Sequence, residues 1–255
     1  MVKLHFDISV YSGGVPYPRH RHDELQLSLI LRGAVSETVG GLNEIGRALS
    51  VVSKDSGLYH ADEFPREGAK IARLSVPHAV MNDLIDDHRQ MDGWRWTHDP
   101  RIARSFLSLV RRAKDHSLNS FAACDPDVTD LLAAFTACPA ARDPGEPPAW
   151  LRQTMTELRD RWHPDITVSD VARRAGVHPV YLARCARRWY GTAIGDELRR
   201  LRLASSVSML TGNKTTVSSV AHANGYSDEP HLCRATRGLL GMTPGRLRSL
   251  VDSVA

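Results

Sequence analysis

His20 and His22 stand one residue apart in "PRHRHDELQLSLILRG", residues 18–33, at the entrance to an apolar run that ends in Gly33. On a strand, residues i and i+2 face the same side, so the two imidazoles would project together. Such a pair suits two kinds of chemistry: ligation of a divalent transition metal, or hydrogen bonding to a small polar or anionic molecule at a pocket rim. The other chemistry-bearing side chains are arginines, and they concentrate in the back half. From Trp150 onward the chain carries 16 Lys and Arg against 9 Asp and Glu, a net +7, whereas the remainder is −3. A basic half of this kind points to a polyanion, because neutralised phosphates release counterions. The planar arginine fork suits phosphate and guanine better than lysine does. Cys185 and Cys233 each adjoin an arginine, which could lower a thiol pKa and invite redox or alkyl-acceptor chemistry. Helix packing is the stronger reading of both, above all for Cys185.

At 255 residues the chain has room for two ordinary domains. Its apolar fraction of 42% is that of a globular protein, and no apolar run approaches the roughly 20 residues of a membrane span. The N-terminal residues lack the pattern of a secretory signal, and four scattered cysteines with no C-x-x-C pair form neither a disulfide framework nor a zinc knuckle. A cytoplasmic protein with reduced thiols and no membrane partner is expected. Short β-prone segments punctuated by glycine fill residues 1–80 and predict an antiparallel sandwich or barrel. Residues 81–140 change to helical spacing, with Asp99-Pro100 and Asp125-Pro126 as helix starts. "WRW" at 94–96 reads as packing for that helical segment, and Cys138-Pro139 as a helix end. Residues 141–149, containing "ARDPGEPP", read as a linker. Residues 150–255 read as all-α.

The back half repeats itself. "VSDVARRAG" at 168–176 returns as "VSSVAHANG" at 217–225, an offset of 49; beyond the turn the offset is 50, matching Leu182 to Leu232, Arg184 to Arg234 and Gly191 to Gly241. Each copy is a short helix, a glycine turn and a second helix closed by glycine, the helix-turn-helix pattern. In the first copy Val168, Val171 and Ala172 form an inward stripe that Tyr181, Leu182 and Cys185 face, leaving Arg184, Arg187 and Arg188 outside. Residues 193–210 read as one connecting helix of roughly 27 Å at about 1.5 Å per residue. That length can hold two recognition helices about one DNA turn apart, roughly 34 Å, without dimerisation.

At "ITVSDVARRAGVHPVYLARCARRWYGTAIGDELRRLRL", "VSSVAHANGYSDEPHLCRATRGLLGMTPGRLR" and the terminal Gly-x-Thr-Pro, the chain resembles the AraC/XylS family of bacterial transcription regulators over about residues 148–250. The front half is similar to the cupin-type sensing domain of many members. The resemblance implies a two-domain protein: an N-terminal antiparallel β cupin-like barrel with appended helices and a C-terminal all-α domain with two helix-turn-helix motifs. It implies DNA contacts from His178, Val180, Ala183, Arg184, Arg187 and Arg188 in the first recognition helix. In the second it implies contacts from Glu229, His231, Cys233, Arg234 and Arg237. Departures from the pattern at Leu232 and Thr236, with Gly238 interrupting the helix, predict a softer second motif that contributes mainly backbone contacts.

A metal-binding cupin carries H-x-H, a glutamate and a distant histidine; here His20 and His22 match, Gln26 replaces the glutamate and His60 is the third histidine. These four residues are expected to hydrogen-bond a small-molecule effector. Alternative readings are a divalent metal held by the same four, or histidines left on a rim or in a core from a shared fold. A cupin-type metalloenzyme is the smaller part of the metal reading, and an enzyme has little use for two helix-turn-helix motifs. Expected partners are double-stranded DNA and the effector, with RNA polymerase and a second copy of the chain as further ones.

Overall fold

The computed structural model describes residues 2–77, 80, 93–137, 147–212 and 214–254. Its organising strand is β3, Leu25–Val39, which belongs to two antiparallel sheets at once. The first half of β3 pairs with β7 (Ala69–Val76) and β5 (Val51–Lys54). That sheet is completed by β1 (Lys3–Tyr11), β8 (Trp94–Thr97) and β9 (Ser120–Ala122). The second half of β3 pairs with β4 (Leu42–Arg47) and β6 (His60–Glu63), and β6 carries the edge strand β2 (Pro16–His20). Pro16 and Pro18 suit that edge, where a missing N–H costs no ladder bond. The strand turns from one sheet to the other at Gly33, whose φ of +77° favours glycine.

Both faces of the first sheet are covered, and the alternation in "LQLSLIL" records it. Leu25, Leu27, Leu29 and Leu31 enter the main core under the helices, whereas Ser28 and Ile30 point into the barrel. Helix α1, Pro100–His116, covers that outer face with Ile102, Phe106, Leu109, Val110 and Ala113. Asp99 caps it by accepting from the Arg101 N–H. Helix α2, Pro126–Ala137, adds Leu131 and Phe135. The helical reading of residues 81–140 therefore needs correction, because β8 and β9 lie inside it. "WRW" is an edge strand paired with β5: its two indoles are β-prone, and the helical spacing around them belongs to neighbouring segments. Residues 81–92 and Cys138-Pro139 lie outside the described residues, as does most of the linker.

The remaining elements are helical: α3 (Ala149–Asp160), α4 (Val168–Arg174), α5 (Pro179–Tyr190), α6 (Ile194–Leu210), α7 (Val217–Ala223), α8 (Glu229–Leu240) and α9 (Pro244–Ser253). Thr167 and Asp170 form a reciprocal capping box at α4, and Thr216 caps α7 by the same hydroxyl contact. Leu201 of α6 joins a core with α3, α4 and α5, and Leu210 joins one with α7 and α8. Leu203 and Val207, with Leu240 of α8 and Leu247 and Val251 of α9, extend the core beneath the sheet. The back half is thus seated on the front half by apolar contact. Lys70 of β7 ties the seat by donating to the Val251 carbonyl at 2.8 Å and to that of Val254, at the end of α9. None of the described helices is long and apolar enough to cross a membrane.

Candidate functional site

Helices α4–α5 and α7–α8 form two like hairpins joined by α6. Gly176 (φ +67°) and Gly225 (φ +72°) make the turns, and Gly191 and Gly241 close the second helices in the left-handed conformation. Leu182, Cys185 and Ala186 anchor α5, and Leu232, Thr236 and Leu240 anchor α8. Opposite those anchors α5 exposes His178, Val180, Arg184, Arg187 and Arg188, with Ala183 half-buried among them. Helix α8 exposes Glu229, Arg234 and Arg237. His231 and Cys233 are half-buried, His231 with its ring edge-on to Tyr226 at 5.1 Å. His178 also caps α5, its Nδ1 accepting from the Val180 N–H at 3.2 Å.

Two expectations change here. Tyr181 is 43% exposed and stacks on Trp150 of α3 at 5.9 Å, with the Arg184 guanidinium 5.4 Å from its ring centroid. It joins the outer face instead of the inward stripe. Heptad-like spacing alone placed it inside; the aromatic at position 150, far away in sequence, draws it out. Helix α8 also runs unbroken through Gly238, and the fully buried Thr236 is satisfied by donating to the Leu232 carbonyl at 2.8 Å. Pro230 stands in the first turn, where its missing N–H has no intrahelical partner to lose.

The family described as helix-turn-helix domain matches residues 171–249. The chain is 36% identical over 78 residues to the HTH-type transcriptional regulator GlxA of Rhizobium meliloti, a match covering 31% of this chain and 24% of that protein. The chain thus spans about a quarter of that relative's length. Among solved structures, the C-terminal domain of AraT from Geobacillus stearothermophilus aligns with 41% of this chain and 88% of its own at 21% identity and a TM-score of 0.38. ToxT from Vibrio cholerae aligns with 98% of this chain and 99% of its own at 9% identity and a TM-score of 0.40.

The front half brings three of its four singled-out residues together. His20, His22 and His60 have ring centroids 4.2 to 5.2 Å apart, His60 buried and the other two half-buried at the barrel rim. Gln26 is buried opposite Lys54 in the β3–β5 register, its Oε1 without a hydrogen-bond partner. Lys54 is the residue that sequence reasoning missed. Its ammonium pairs with buried Glu37 at 2.8 Å and donates to His60 Nε2 at 3.1 Å, while His60 Nδ1 faces the Leu58 carbonyl at 3.2 Å. Trp94 donates to the other Glu37 oxygen at 2.6 Å. One nitrogen of each histidine lies within 4.8 Å of the others, a spacing that suits one ion. Lys54 weighs against a metal there, because it takes the His60 Nε2 lone pair and puts a cation beside the three imidazoles. Deeper in the barrel, between Glu37, Lys54, Asp62 and Arg73, the cavity is only about 20 Å³.

A second ionic cluster lies where the halves meet. Glu197 of α6 is 4% exposed and accepts from Arg159 Nε of α3 at 3.0 Å and from Arg200 Nη2 at 2.8 Å. Arg159 Nη1 also donates to Glu44 of β4 at 2.7 Å, and Arg47 donates to the Arg159 carbonyl at 2.8 Å. Burial would raise the Glu197 pKa, but the Arg200 and Arg159 guanidiniums overcome it and hold the carboxyl far below its usual range.

Three histidines share the opposite sensitivity. Burial, reinforced by Lys54, lowers His22 and His60 from 6.5 to about 4; burial and Arg200 do the same to His98. The unfolded chain therefore binds protons that the folded one excludes, and stability falls as pH drops from about 6.5 towards about 4. Burial raises Asp62 to about 6, which works in the reverse direction but for one group only. Thermal unfolding should thus shift to lower temperature between about pH 7 and about pH 5. His98→Gln should flatten that slope, whereas a melting temperature that rises on acidification would contradict these assignments.

Proposed function

We propose that this chain is a sequence-specific DNA-binding transcription regulator whose DNA occupancy is set by a small-molecule effector, not an enzyme. The carrying observation is the pair of helix-turn-helix motifs in one basic unit, each turning an arginine-bearing face outward. Helix α6, with 17 residues, extends roughly 26 Å at about 1.5 Å per residue, in keeping with recognition helices in successive major grooves of one duplex face. Arg184 and Arg234, at matched positions, read a base or clamp a phosphate; His178, Val180, Ala183, Arg187 and Arg188 complete the first contact set. Glu229, His231, Cys233 and Arg237 complete the second.

The barrel is the sensing unit, with His20, His22, Gln26 and His60 as effector contacts at its rim. The imidazoles of His22 and His60, held neutral beside the Lys54 ammonium, favour a polar or anionic molecule. A divalent metal is the second reading, which the clustering of three histidines favours and Lys54 opposes. The reading places the protein in the cytoplasm and includes RNA polymerase and a second copy of the chain as partners.

The test is selection of duplexes from a random pool by the full chain. Affinity for the selected sequence should fall steeply with salt, and Arg184→Ala should cost about 1–3 kcal/mol with relaxed specificity at one position. Arg234→Ala should weaken binding more evenly across sequences. Equal losses of specificity in the two variants would remove the proposed division of labour, and failure to enrich any sequence would remove the function.

A further inference from the structure

Tyr181 and His231 stand at matched positions of the two recognition helices, offset by 50, yet their surroundings differ. The Tyr181 ring lies on the outer face of α5, 43% exposed, with two partners. The Trp150 indole stacks on it at 5.9 Å with the planes 22° apart, and the Arg184 guanidinium lies over it, 5.4 Å from the centroid. His231 is engaged elsewhere. It is half-buried and edge-on to Tyr226 at 5.1 Å, with Nδ1 3.2 Å from the Ser227 hydroxyl.

Each link in the first motif has a physical use. The stacked indole narrows the rotamers open to Tyr181, and the negative face of the Tyr181 ring attracts the guanidinium. An arginine on a helix surface otherwise samples many rotamers and gives up that freedom only when it binds. A ring contact restricts it beforehand and uses none of its five N–H donors, which stay available to guanine or phosphate. An acidic neighbour does the reverse: Arg173 and Arg199 give donors to Asp170 and Asp196. Among the described residues Arg184 has no carboxylate partner. Trp150 is itself presented from a fixed support, because Arg159 ties the far end of α3 to Glu44 and Glu197. The second motif has no such brace. Helix α6, which packs on it as α3 packs on the first, contains no aromatic residue, and among the described residues no ring lies over Arg234.

We propose that Trp150 and Tyr181 are positioning residues that hold Arg184 ready to read a base, and that Arg234, lacking their counterpart, is left as a loosely oriented contact to the DNA backbone. This role rests on the regulator reading and gives its division of labour between the two motifs a physical cause. An arginine held near one rotamer places two donors at fixed points, as the O6 and N7 of a guanine require. A loosely held one still satisfies a phosphate, whose contact carries no sequence information.

The experiment uses the full chain and the duplex it selects from a random pool, with affinities compared at one salt concentration and each variant checked by thermal unfolding. Trp150→Ala should weaken binding about 5- to 10-fold. The same change made in Arg184→Ala should cost less than about 2-fold more, because an absent guanidinium cannot be misplaced. Base preference should relax at the position that Arg184→Ala relaxes and at no other, and Trp150→Phe, which keeps a ring against Tyr181, should recover most of the loss. Tyr181→Leu, at an exposed site, should show the same loss and the same non-additivity, and it decides the matter if Trp150→Ala unfolds. Equal losses with and without the Arg184 side chain, or relaxed preference across the whole site, would show that the aromatic pair merely supports the first motif and would overturn the role. A selected duplex bound equally by every variant removes this role alone, whereas a chain that selects no duplex removes the regulator reading and the role with it.

Discussion

Glu197→Ala is expected to destabilise the folded chain by about 3–5 kcal/mol, measured by urea unfolding. The carboxylate is 4% exposed and, among the described residues, pairs with Arg200 and is one of two side-chain carboxylates for Arg159. Removing it leaves two guanidiniums, with side chains 11% and 18% exposed, to share Glu44. An uncompensated buried charge is the costly outcome; the net worth of the intact cluster relative to apolar residues can still be small. Glu197→Gln keeps an oxygen acceptor and the side-chain shape, and should lose roughly half as much. Because the cluster joins β4, α3 and α6, the loss should appear as a looser seating of the first helix-turn-helix motif as well as a lower midpoint. A change under about 1 kcal/mol in the alanine variant would mean that water already screens the cluster.

Gly33→Ala is expected to be worse, on the order of 4 kcal/mol or more, and to prevent the barrel from closing. A Cβ at Gly33 would stand 2.0 Å from the Gly68 carbonyl oxygen, a backbone atom immediately before the paired strand β7. Gly68 has the same difficulty, its Cβ position being 2.2 Å from the Tyr11 carbonyl oxygen of β1. Three strands therefore approach through two glycines at the corner where β3 leaves one sheet for the other. Gly57→Ala is the internal comparison. Its φ is +74°, close to the +77° of Gly33, but nothing lies within 4 Å of the added methyl, so only the left-handed backbone cost of about 1–2 kcal/mol applies. Equal thermal losses at the two positions would show that the close approach at Gly33 is relieved by movement of β7.

The parts of the fold readable in the sequence are those encoded by neighbours along the chain. The repeat offset of 49 and then 50, the turn glycines Gly176 and Gly225, and the Asp-Pro helix starts are local signals, and the structure has helices and turns there. "LQLSLIL" was legible as a strand, although its even positions gave no hint that they face a charged interior. Residues 94–97 were misread because four residues between helical segments carry too little periodicity to declare a strand; only pairing with β5 decides it. The Lys54–Glu37 pair and the Glu44–Arg159–Glu197 cluster were invisible, since their members lie up to 153 residues apart and follow no spacing. Tyr181 went astray for a related reason: an amphipathic residue at an inward position was drawn out by Trp150.

Footprinting of the full chain on the duplex it selects tests the DNA-binding reading most directly. Two protected stretches are expected, centred about 10.5 base pairs apart on one face of the duplex. Arg184→Ala should weaken protection of one stretch and Arg234→Ala that of the other. A single protected stretch indifferent to both variants, or uniform weak protection that disappears with salt, would contradict the assignment of α5 and α8 as a pair of recognition helices.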